Sequence, residues 1–236
     1  MLEAVPAQSL VGDRVTEVEA RAKHLLIRFG SGRVLHTHIR MTGAWHVYRA
    51  GERWKRPAWQ ARLVLEAGER IAVLFNAPVI ELLVTGGEAL HPALSGLGPD
   101  VLAPELDLDE VWRRAAQLEP ATEMGDLLLN QRVVSGIGNI YRCETLFVHK
   151  THPRTALGSI PEETLRAMMR TAAELMIPNA MPSASVGRDF GLGPDRRWVY
   201  GRSGRPCRRC GTVIASGRVG TQARTAYWCP RCQPAP

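Results

Sequence analysis

The sequence predicts an α+β chain in three parts: an antiparallel β-sandwich, a helical domain and a small cysteine-closed ribbon. Three observations carry this. The N-terminal third breaks into short apolar runs separated by turn residues. After Gly86-Gly87 the apolar spacing becomes helical. Near the C-terminus four cysteines read C-x2-C, eighteen residues, C-x2-C. With 236 residues, 45% of them hydrophobic, the chain has material for two or three small cores.

The first part, residues 1–90, contains seven strand-like runs: Arg14–Ala20, His24–Phe29, Arg33–Ile39, Ala44–Tyr48, Ala61–Glu66, Ile71–Phe75 and Val79–Val84. In the second run Leu25, Ile27 and Phe29 share one face, as a half-buried strand requires. Gly30-Ser31-Gly32 and Ala67-Gly68-Glu69 are expected hairpin tips. Strands at this spacing predict a sandwich or barrel. His36 and His38 alternate on one strand; without carboxylate or cysteine company in the sequence they read as ordinary sheet positions.

Residues 91–104, rich in Pro and Gly, read as a linker. The helical part spans 105–187. Asp109–Leu118 carries Val111, Trp112, Ala115 and Leu118 at helical spacing. Met124–Phe147 reads as an apolar helix, a tight Ser135-Gly-Ile-Gly138 turn and a second helix opening at Asn139. Glycines there allow a close backbone approach, and a helix start with an asparagine makes a seat for phosphate. Ser159 with Glu162 gives a capping-box pattern, with Pro161 in the first turn. Leu165, Met168, Met169, Ala172 and Met176 then form a core stripe, which Ile177-Pro178 is expected to end. Pro182–Pro194 reads as a loop.

The last part, residues 188–236, holds ten Arg, no Lys and two acids, a balance of +8 in a chain whose net charge is +7. The remaining residues are therefore near neutral. Such a concentration of arginine points to a polyanion, most readily nucleic acid. Cys207, Cys210, Cys229 and Cys232 supply four thiolates from two knuckles, the donor set of a closed structural zinc site holding one ion. The intervening loop is expected to return as a ribbon through Thr212–Ile214 and Ala226–Trp228. Cys143 stands apart and reads as a packing residue. No apolar run reaches the ~18 residues of a membrane span. Met1–Leu10 lacks the charged-then-apolar signal pattern, so a soluble intracellular protein is expected.

Two segments together resemble the formamidopyrimidine-DNA glycosylase/endonuclease VIII family. One runs from Asp126 through Ser135-Gly-Ile-Gly138-Asn139-Ile-Tyr141 to Phe147. The other is Arg224-Thr-Ala-Tyr-Trp-Cys229-Pro-Arg-Cys232-Gln233. Ala22-Lys23-His24-Leu25-Leu26, His38-Ile39-Arg40-Met41, His91-Pro92, Gly98-Pro99-Asp100 and Val199-Tyr200-Gly201-Arg202 also match. The resemblance implies a β-sandwich, a helix–two-turn–helix domain and a zinc ribbon. It implies base excision repair: a monomer in the bacterial cytoplasm binds damaged duplex DNA between its halves and flips the base out. An N-terminal proline amine then attacks the sugar carbon and forms a Schiff base, and β- and δ-elimination cut the strand.

By the same resemblance, Lys23 contacts phosphate and donates the proton for β-elimination. Arg224 grips phosphate with its five-donor fork and serves δ-elimination. Asn139 holds a phosphate beside the lesion. Met41, with Arg40 beside it, fills the gap left by the flipped base.

Two departures bear on these expectations. Family members begin Met-Pro-Glu, whereas this chain begins Met1-Leu2-Glu3-Ala4-Val5-Pro6. The proline nucleophile is absent from that position, and Glu3 falls at the glutamate position by coincidence only, so the family's adjacent glutamate is not expected to be represented. The family's first helix and strand are expected upstream of a mis-assigned start, and catalysis by the chain as written is expected to be impaired. Near Glu119-Pro-Ala-Thr-Glu123 many members carry an arginine that enters the DNA gap, and none stands here. The Met41 surroundings and the modest Pro182–Pro194 loop lean toward oxidised pyrimidines as substrate. The rival expectation is a non-catalytic, zinc-dependent DNA-binding protein.

Overall fold

The computed structural model describes residues 7–180 and 197–236. The Met1–Pro6 start and the Pro182–Pro194 loop lie outside them. The chain divides into two compact units, Met1–Ser95 and Gly96–Pro236.

The first unit is an antiparallel β-sandwich. Its strands are β1 (Val15–Arg21), β2 (His24–Phe29), β3 (Arg33–His38), β4 (Ala44–Arg49), β5 (Ala61–Ala67), β6 (Arg70–Phe75) and β7 (Val79–Val84). They form a four-stranded sheet, β1-β2-β3-β7, and a three-stranded sheet, β4-β6-β5. Alternation decides which face is buried. Ile27 and Phe29 of β2 and Leu35 of β3 meet Leu63 of β5 and Leu74 of β6 in one core between the sheets. Residues one step out of phase, including His24, Arg28, His36 and Glu81, fall on the outer face of the four-stranded sheet. There Arg28 binds Glu17 at 3.1 Å and Glu19 at 2.9 Å, and also Glu88.

The second unit joins the helices and the ribbon. Its helices are α1 (Leu108–Ala115), α2 (Met124–Leu127), α3 (Asn139–Val148) and α4 (Glu162–Ala180). Asp107 caps α1 by accepting the Glu110 amide at 2.8 Å. The stripe on α4 is core as expected: Leu165, Met168, Met169 and Ala172 pack with Leu127 and Leu146. A second core centres on the ribbon strands β8 (Ala215–Val219) and β9 (Arg224–Trp228), with Val219 and Ala226 packed against Cys143 and Phe147 of α3. Cys143 is thus a packing residue.

Four local expectations are corrected. The apolar helix expected before Ser135 is only the short α2. Asn130 accepts the Arg132 amide at 3.0 Å, and that local bond competes with the helical ladder. Ser159 does not cap α4: its hydroxyl donates to the Ala156 carbonyl at 2.7 Å, while Glu162 binds Arg166. Proline does not stop α4 at Ile177, because Pro178 falls in its final turn and costs only a late hydrogen bond. The neighbouring Asn179 side chain donates to the Leu175 carbonyl at 2.7 Å. The first ribbon strand begins at Ala215, not Thr212, because residues 212–214 pair backward. Cys207 donates to the Thr212 carbonyl at 2.8 Å and Ile214 to that of Arg205 at 2.9 Å.

Candidate nucleic-acid interface and metal centre

In the second unit the turn before α3 is pinned from several sides. Ser135 accepts the Val101 amide at 3.0 Å and donates its own amide to Pro99 at 2.8 Å. Its hydroxyl donates to the Gly98 carbonyl at 2.9 Å. Gln131 takes the Gly136 amide at 3.0 Å and donates to the Ile137 carbonyl at 3.1 Å. Gly136 has φ +98°, and a Cβ there would press Val101 at 3.0 Å, so only glycine fits. The turn delivers Asn139 to the first position of α3. Its Nδ2 donates to the Thr225 carbonyl at 3.0 Å, fastening the helix start to β9 beside Arg224. Its Oδ1 is buried with no hydrogen-bond partner among the described residues.

Arg224 opens β9 and is exposed, with its backbone held from behind. Arg142, wholly buried on α3, donates to the carbonyls of Arg224 at 3.4 Å, Thr225 at 3.1 Å and Gly125 at 3.3 Å. The hairpin tip preceding Arg224 is gripped by carboxylates at α2. Gly220 donates to Glu123 at 2.9 Å and Thr221 to Asp126 at 2.6 Å. A Cβ on Gly220 would overlap the Asp126 carboxylate, and its φ is +77°. Buried Glu144 takes the amides of Trp198, Val199 and Tyr200 at 2.7, 3.1 and 2.9 Å. Burial pushes that carboxyl up, and the three amides pull it back.

The sequence alone does not single out these positioning roles for Arg142, Glu144, Glu123 and Asp126. Their one signal is charge on a stretch otherwise apolar enough to be core. Asn139 and Arg224 are brought together, linked through Thr225.

In the first unit Lys23 sits exposed in the turn between β1 and β2, next to Ala22 at φ +54°. His24 pairs with His38 in register, so the β3–β4 connection leaves the sheet at this same end. Arg40, exposed at φ +46°, donates its amide to His38 at 3.1 Å. Gly43 closes the connection by donating to the Ile39 carbonyl at 2.9 Å, at a spot where a Cβ would meet that oxygen at 2.6 Å. Between them Met41 is 95% exposed, which removes the core reading for this side chain. Lys23, Arg40 and Met41 thus share one end of the four-stranded sheet.

The sheet histidines do have carboxylate company. Glu81 lies opposite His36 across β3 and β7. It receives His36 Nδ1 at 2.7 Å and His91 Nε2 at 2.9 Å, and His36 Nε2 meets His24 Nδ1 at 2.8 Å. Burial, with His38 and His36 nearby, pushes His24 down to about 4. Burial also lowers His36 and His38.

The four ribbon cysteines converge, with all ligand atoms within 4.8 Å of one another. Sulfur separations are 4.0 Å for Cys207–Cys232 and 3.4 Å for both Cys210–Cys229 and Cys210–Cys232. These are far beyond a disulfide bond of ~2.05 Å. They bracket the ~3.8 Å edge of a tetrahedron built on ~2.3 Å zinc–sulfur bonds. Amides of Arg209 and Cys232 point at Cys207 and Cys229 sulfurs at 3.4 and 3.5 Å, as thiolates would require. Gln233 ties the second knuckle to Thr151 at 2.8 Å. The donor set fits a metal ion.

Comparison with known proteins agrees with this architecture. The family model described as formamidopyrimidine-DNA glycosylase N-terminal domain matches residues 3–76. The model described as formamidopyrimidine-DNA glycosylase H2TH domain matches residues 97–185. A Streptomyces coelicolor protein named probable endonuclease 8 2 is 37% identical, over 96% of this chain and 82% of its own length. A Mycolicibacterium smegmatis protein named DNA-(apurinic or apyrimidinic site) lyase Nei2 is 36% identical, over 96% and 85%. Among solved structures, the MutM (Fpg) protein of Thermus thermophilus superposes with a TM-score of 0.78 at 27% identity, covering 99% of this chain and 88% of that one. Lactococcus lactis Fpg in complex with FAPY-dG-containing DNA gives 0.78 at 22% identity, covering 97% and 85%. With both family domains in order and relatives of this identity along nearly its whole length, the chain belongs to the formamidopyrimidine-DNA glycosylase/endonuclease VIII family.

Proposed function

We propose that the chain is a base excision repair glycosylase and abasic-site lyase acting on oxidised bases in duplex DNA. The observation that carries the reading is the fastening of Asn139 to β9 beside Arg224. A helix start and an exposed guanidinium are held side by side, the arrangement a phosphate-binding surface needs. In this reading residues 1–90 contribute Lys23 and Arg40 to the phosphates and Met41 to the gap at the lesion. Residues 105–187 contribute Asn139, and residues 188–236 contribute Arg224. The four cysteines hold one structural zinc ion, whose binding energy stabilises a ribbon with little core of its own. The lean toward oxidised pyrimidines rests on the resemblance to the endonuclease VIII side of the family, the name that relatives such as the Streptomyces coelicolor protein carry.

The test is borohydride trapping on duplexes carrying an abasic site, an oxidised pyrimidine or an undamaged base. A covalent adduct, reduced from an imine to an amine of the chain, is expected on the first two and not on the third. DNA binding without any adduct would favour the non-catalytic reading instead.

A further inference from the structure

We propose that His36, Glu81 and His91 form a second metal site, for one divalent first-row ion of the zinc class, on the outer face of the four-stranded sheet. The ligand atoms of these side chains lie within 4.8 Å of one another. They arrive from separate elements: β3, β7, and the segment after the 3-10 turn Gly87–Ala89. Two imidazoles already face one carboxylate oxygen at 2.7 and 2.9 Å. An ion with bonds of ~2.0–2.2 Å sets tetrahedral ligands about 3.4 Å apart, so each nitrogen need withdraw by only roughly half an ångström.

Two further features favour an ion over a plain hydrogen-bonded cluster. A metal-bound imidazole is normally oriented by a hydrogen bond from its other nitrogen. His36 has such a contact, Nε2 to His24 Nδ1 at 2.8 Å; with Nε2 as the donor, Nδ1 is left to ligate. Accessibility is graded as well: the His36 side chain is 1% exposed, His91 16% and Glu81 42%. The set thus has a rigid buried anchor and an opening toward solvent, by which an ion enters and water completes its shell. Two histidines and a carboxylate suit zinc, cobalt, nickel or ferrous iron better than magnesium or calcium. Because His24 follows Lys23, the ion would brace the end of the sheet that carries the Lys23 turn.

The experiment is a Co2+ titration of the full metal-free chain. The four-thiolate site announces itself by intense near-ultraviolet thiolate-to-cobalt bands, so its filling is read separately. A second equivalent is expected, adding weak visible bands without thiolate character. Glu81→Gln and His91→Asn should each retain the thiolate bands and bind the second equivalent at least tenfold more weakly. Zn2+ added to 15N-histidine-labelled wild-type chain should shift His36 Nδ1 and His91 Nε2, a readout that needs no variant. No ion beyond the thiolate-bound one, a second ion bound equally by both variants, or unmoved histidine resonances would each overturn the proposal.

Discussion

At the scale of single residues, Arg224 is an exposed guanidinium on a backbone that Arg142 holds from the buried side. The two arginines differ in setting: Arg142 is buried on backbone carbonyls, and Arg224 stands exposed. Arg224→Ala is therefore expected to weaken binding to all duplex sequences alike. It should also flatten the plot of log affinity against log salt by about 0.9 for each phosphate no longer neutralised. Fluorescence anisotropy across a salt series reads this, and an unchanged slope would take Arg224 out of the phosphate-binding surface. Arg142 is the opposite case. It is wholly buried, and its Nε has no partner among the described residues. Nothing in its sequence neighbourhood separates it from the surface arginines, because its acceptors on Gly125 and Thr225 are far along the chain.

At the scale of elements, the β8–β9 hairpin shows how much precision rests on one glycine. Gly220 has φ +77° and lies against the Asp126 carboxylate that receives the next amide. Gly220→Ala should cost about 1–3 kcal/mol from strain alone. It should also lower DNA affinity with every basic residue still present. Thermal melting and anisotropy check this together; wild-type affinity in the variant would show that the carboxylate grip does not position β9.

The strands were legible because alternation reports one buried face, and Leu25, Ile27 and Phe29 report it without knowledge of their partners. The capping box and the early ribbon strand misled because Ser159 and Thr212 had competing local acceptors and donors. The cysteine knuckles were readable from spacing alone. The Glu81 pairing with His36 was not, since it spans β3 to β7 and depends on register.

At the scale of the whole molecule, the chain carries separate cores in its two units. The ribbon core draws on Cys207 and Cys229 together with Phe147 of α3, so loss of the proposed metal should be felt beyond the knuckles. Cys207→Ser is expected to lose the four-thiolate metal and lower the melting of the Gly96–Pro236 unit, leaving the sandwich transition in place. Differential scanning calorimetry with elemental analysis reads both. A variant that keeps its metal, or one whose sandwich transition shifts as well, would contradict this division. The +8 balance of the last segment was legible as attraction for a polyanion. The carboxylates of Glu123, Asp126 and Glu144 that shape it come from outside that segment.

Met41 carries a chemical vulnerability of its own. A thioether that is 95% exposed is open to peroxide, whereas Met124, Met168 and Met169 are sealed in the helical core. Brief peroxide treatment should convert Met41 to its sulfoxide well before those three, as peptide mass spectrometry would show. In the role proposed for Met41 at the lesion, the polar sulfoxide would no longer suit an apolar gap between bases. Under oxidative stress, the conditions that damage bases would also blunt this side chain, and methionine sulfoxide reduction would restore it.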